Sequence, residues 1–68
     1  MDRQAMHQVA GRLIEEGMKG RDRGRFGPVS KASADIYAQG AWEAGFRAWL
    51  EVESIVPESR VYIIVEPR

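Results

Sequence analysis

The segment Ser33–Val52, SADIYAQGAWEAGFRAWLEV, decides how the chain is read. At a period of 3.6 residues, Ala38, Ala41, Trp42, Gly45, Phe46, Trp49 and Val52 fall along one face. That spacing predicts a single helix over 33–52. Its small residues would let a neighbouring helix pack close while the rings fill the sides. Ser30 or Ser33 supplies the N-cap, with Asp35 in the first turn at the positive end of the helix dipole. Tyr37 and Leu50 lie off the stripe and either widen the core or face a partner.

Beyond Val52 the period changes. ESIV, PES and RVYIIVEP read as strand, tight turn and strand, with Pro57 ending any helix. A β element is therefore expected within 53–66, firmest near 60–66. Val61, Ile63 and Val65 share one of its faces and Tyr62 and Ile64 the other, as in a strand covered on both sides. An isolated hairpin is marginal in water, so this one must lie on the helices or pair with a second copy.

Ahead of the segment stands GMKGRDRGRFGPVSK, Gly17–Lys31, whose four glycines and Pro28 predict an irregular basic linker over 19–32. Lys19, Arg21, Arg23, Arg25 and Lys31 stand there against Asp22 alone, a local balance of +4 within a chain of formal charge zero. Further ahead, Met6, Val9, Ala10, Leu13, Ile14 and Met18 recur at helical spacing and predict a first helix over 2–18. Asp2 would cap it, and Gly17 or Gly20 would close it. Gly11, beside Ala10 in the buried stripe, implies close approach of another backbone.

These readings assemble into one α+β domain spanning residues 1–68: a two-helix hairpin followed by a C-terminal β-strand or β-hairpin. A chain of 68 residues without cysteine has no disulfide to reinforce it. It buries only about 60% of the surface its unfolded form exposes. A homodimer, or another bound partner, is the expected route to a completed core.

The same inventory argues against catalysis. His7 is the only histidine, and without cysteine a zinc site would need carboxylates at unmatched spacings. Adjacent Glu15 and Glu16 would point about 100° apart on a helix, so they form no facing carboxylate pair. No nucleophile elbow or phosphate-binding loop with its lysine is present. The expectation is a non-enzyme with no cofactor and no metal. The polar start MDRQAMHQ carries no legible signal peptide, and no apolar run approaches the ~20 residues of a membrane span. A cytoplasmic protein without membrane contact is expected.

Two readings of function remain, in different classes. In the first, the protein is an RNA- or ribosome-associated regulator. Alternation with Asp22, Gly24 and Phe26 puts Arg21, Arg23 and Arg25 on one side of an extended chain. Lys19 and Lys31 would add phosphate contacts, and Phe26 would stack on an unpaired base. The plainer account of the same residues is a solvated loop whose arginines pair with Glu15, Glu16 or the acidic second helix. In the second reading the protein is a small inhibitor or adaptor, encoded in the rival hypothesis by a phage, that occupies a protein surface. It would use the acidic helix (Glu43, Glu51, Glu53) or the free edge of the C-terminal strand. Trp42, Phe46, Trp49, Tyr62 and Ile64 are the expected interface or core residues in either case.

With Gly17-Met18-Lys19-Gly20-Arg21, Pro28 and Trp42-Glu43-Ala44-Gly45-Phe46 in view, the chain resembles the ribosome modulation factor family over roughly residues 9–50. The resemblance implies a two-helix unit that binds the small ribosomal subunit and silences translation by promoting ribosome pairing. Relatives of the pattern also occur among phage and mobile-element genes. Here Phe26-Gly27-Pro28-Val29 stands in place of the family's Cys-Pro-Tyr or Asn-Pro-Tyr linker, and Phe46 in place of its second Trp. Trp49 stands where the family has an Ala, and residues 52–68 have no counterpart.

Overall fold

Asp2 accepts a hydrogen bond from the Ala5 backbone N–H at 2.7 Å and so caps helix α1 (Arg3–Met18). The computed structural model describes residues 2–54 and 60–68. The chain continues through strand β1 (Gly24–Val29), helix α2 (Lys31–Glu43), strand β2 (Phe46–Ser54) and strand β3 (Arg60–Pro67). The fold is α+β, with two helices and a three-stranded antiparallel sheet in the order β1-β3-β2 among the described residues. The expected turn at 57–59, with Ile55 and Val56 before it, lies outside the described residues.

The helix expected over 33–52 is corrected most. Ser30 is the cap, accepting from Ser33, so the helix starts at Lys31, and it stops at Glu43. Asp35 thereby falls beyond the first turn, where it pairs with Lys31 at 2.9 Å. Gly45 takes φ +98°, a conformation side chains avoid, and swings the chain from helix into strand. From Phe46 onward FRAWLEVES alternates: Phe46, Ala48 and Leu50 pack toward the helices, while Trp49, Glu51 and Glu53 stand on the opposite face. The helical and alternating patterns coexist in these letters. Ladder bonding to β3, with Trp49 opposite Ile64 and Glu51 opposite Tyr62, makes the choice.

The basic linker of 19–32 is likewise partly a strand. β1 pairs with β3 from Gly24 opposite Val65 to Val29 opposite Val61, with a register shift between Phe26 and Val29. Gly20, at φ +71°, follows the end of α1. The β element placed at 53–66 resolves into β3 and the last residues of β2. β3 is the central strand, which is where a segment apolar on both faces belongs.

The core lies between the helices and one sheet face: Ile14, Met18, Ala34, Ala41, Ala48, Val61, Ile63 and Val65. Phe26, Val29, Tyr37, Ala38, Phe46 and Leu50 pack around it. α1 and α2 cross where a Cβ on Gly40 would lie 2.5 Å from the His7 carbonyl oxygen, and one on Gly11 would lie 2.8 Å from that of Gly40. The close approach expected at Gly11 is therefore present, with Gly40 as its counterpart. Beside the crossing, His7 Nδ1 is 3.4 Å from Glu43 Oε2, a position in the helix seam rather than on an open flank.

Candidate binding face

The sheet face turned away from the helices is built from cross-strand rows. Arg25 on β1, Ile64 on β3 and Trp49 on β2 form one row; Tyr62 and Glu51 belong to the next, and Glu66 and Arg47 to a third. Central Ile64 is only 2% exposed although no helix among the described residues covers this side, because its neighbours in the row flank it.

Arg25 organises the face. Its guanidinium carbon lies 3.6 Å from the centroid of the Tyr62 ring. From there the group reaches across the central strand, donating from Nη2 to Glu51 at 2.7 Å and to Glu53 at 3.0 Å, and from Nε to Glu51 at 3.1 Å. Those hydrogen bonds, to Glu51 first and Glu53 second, raise its pKa above the ordinary guanidinium value. Arg23 sits 5.7 Å from the Trp49 ring centroid and 3.8 Å from Glu66. Trp49 is 40% exposed beside them.

The residues expected to hold RNA are dispersed by this arrangement. Lys19 pairs with Glu16 at 3.2 Å and Lys31 with Asp35, while Arg23 and Arg25 are engaged across the sheet. Arg21 makes no ion pair among the described residues. Phe26 is corrected outright as a stacking residue: it points to the helix side, where Gly17 and Gly24 leave no room for a Cβ beside its ring. Arginines 23 and 25 do share a side, as alternation required. Of the expected partners Glu15, Glu16 and the acidic segment 43–53, Arg25 takes Glu51 and Glu53, which stand on β2 rather than on a helix, while Arg23 pairs with Glu66 on β3.

The interface set divides in the same way. Trp42, exposed on α2, donates its indole N–H to the Ala48 carbonyl at 2.9 Å, with Arg68 4.6 Å above its ring. Phe46 borders the core, Tyr62 lies under Arg25 and Ile64 is buried. Trp42 and Trp49, expected on one helical stripe, belong instead to different layers. Glu43 ends α2 while Glu51 and Glu53 stand on β2, so the acidic helix does not exist as a unit. The edge of the C-terminal strand is not free either, because β3 is paired on both sides. Arg47 and Glu66 escaped the sequence reading, although the alternation of Arg47, Trp49, Glu51 and Glu53 with Phe46, Ala48, Leu50 and Val52 was the signal for them.

No helix among the described residues is long and apolar enough to cross a membrane. Comparison with protein-family models, with curated proteins and with solved structures finds no match for this chain.

Proposed function

We propose that this chain is a small non-enzymatic protein that acts by protein–protein contact, presenting the open face of its sheet to a target as an inhibitor or adaptor. The observation that supports this reading is the internal neutralisation of the basic stretch. Arg23 and Arg25 share the face with Glu51, Glu53 and Glu66 and are paired to them, beside a 40% exposed tryptophan. An aromatic and arginines over a buried aliphatic centre is the composition enriched in protein interfaces. A phosphate backbone calls for unpaired cations. Within the basic stretch, the ribosome-binding role implied by the family resemblance would have to begin from Arg21 and then break ion pairs that hold Lys19, Arg23, Arg25 and Lys31.

Capture from native lysate, with and without nuclease, separates the two readings. A specific protein should be retained in both arms, lost with Trp49→Ala and unaffected by Arg21→Ala. Recovery of RNA instead, sensitive to nuclease and to Arg21→Ala and weakening steeply with salt, would overturn the proposal.

A further inference from the structure

We infer that β2 pairs antiparallel with β2 of a second copy about a two-fold axis at Leu50, joining two three-stranded sheets into one of six strands. β1 and β2 are both edges, but they are finished differently. Each carries a register shift, β1 between Phe26 and Val29 and β2 near its end between Val52 and Ser54, but only β1 adds a proline, Pro28, which discourages edge pairing. β2 runs nine residues, Phe46–Ser54, with neither proline nor lysine, and its far half carries Val52 at 52% exposure. Such an edge is a template for another strand.

The second strand is identified by self-complementarity. An axis perpendicular to a continuous sheet must keep each side chain on its own face, so it passes through a residue position. Leu50 is the midpoint of β2, and pairing about it centres on the regular run 48–52, with Arg47 and Glu53 flanking it and Glu53 at the register shift. Arg47 then faces Glu53 of the second copy, twice, and Trp49 faces its Glu51. On the helix side Val52 meets Ala48. Arg47 makes no ion pair among the described residues, so its charge is available. Centring on Glu51 sets like charges opposite each other and centring on Val52 places Glu51 against Glu53, both unfavourable. Centring on Trp49 sets Arg47 against Glu51 and leaves Glu53 without Arg47, a register that exchange of charge at Glu53 would not disturb. The Trp42 indole takes one lone pair of the Ala48 carbonyl, and a carbonyl oxygen has two. Pairing along this edge sets Arg47, Trp49, Glu51 and Glu53 beside the axis and extends the open face rather than covering it, so the pairing is read from association mass and not from what that face binds.

Charge exchange tests the axis. By sedimentation equilibrium the wild type should show twice the 7.7 kDa chain mass. Arg47→Glu and Glu53→Arg should each weaken association on the order of tenfold to a hundredfold, since each creates two like-charged pairs across the axis. Mixing the two variants should restore a dimer, because both pairs then become Glu opposite Arg. Circular dichroism of each variant should match the wild type, as both positions are exposed and Arg25 keeps its closer bonds to Glu51 when Glu53 is exchanged. A wild type that stays monomeric at millimolar concentration, or a dimer indifferent to both exchanges, overturns the inference. So does a dimer that responds to Arg47→Glu but is not restored by mixing.

Discussion

A single hydrogen atom's worth of side chain decides how closely the two helices approach. At Gly40 a Cβ would sit 2.5 Å from the His7 carbonyl oxygen and 3.0 Å from the Ala10 Cβ. The obstacle is mainly helix backbone, which yields only by moving the helix. Gly40→Ala is expected to destabilise the fold by about 1–3 kcal/mol, the usual cost of overpacking. Denaturant melts should show the midpoint falling with an unchanged slope; an unaffected midpoint would mean that the helices separate without cost. Half of this contact was legible, since Gly11 inside an apolar stripe had no local reason to be glycine. Gly40 drew no such notice because it lies off the stripe traced through Ala38, Ala41 and Trp42.

Between elements, the decisive event is the change of backbone at Ala44-Gly45. The Ala44 N–H still bonds the Gly40 carbonyl, and the Gly45 N–H bonds that of Trp42, so the helix tightens before it ends. Gly45→Ala forces a methyl group onto φ +98° and is expected to cost about 1–3 kcal/mol. None of the described residues lies within 4 Å of a Cβ there, so the cost is conformational rather than steric crowding. Gly45→Asn should recover part of it, because asparagine tolerates positive φ better than alanine; equal thermal midpoints for the alanine variant and the wild type would refute the account. The sequence displayed this glycine within a helical stripe, and only the following alternation hinted that the helix stops.

For the whole molecule, extents of 33 × 30 × 15 Å describe a slab of one helix layer on one sheet. A sheet exposed on one side needs its central apolar residue shielded, and here charged and aromatic side chains supply the cover. Arg25 ties β1 to β2 across Tyr62, and its salt links are solvent-exposed. Arg25→Gln should therefore lower the denaturation midpoint in dilute buffer. The difference should shrink near 1 M salt, where the screening length falls to about 3 Å. A difference independent of salt would assign the effect to packing on Tyr62 instead of charge.

By itself the sequence determined the mixed α+β character, the first helix with its Asp2 cap, and the apolar central strand, because period, capping and a two-faced apolar run are local properties. Tertiary structure alone decided that 46–54 is strand and that Gly24–Val29 joins the sheet. Both segments have letters that satisfy more than one local pattern, and only a partner strand can meet their backbone hydrogen-bonding groups. It also decided the fate of the charges. Arg25 lies 26 residues from Glu51 in sequence; charge alone named the acidic segment as one of its possible partners, but only the sheet shows that the guanidinium crosses the central strand to reach it.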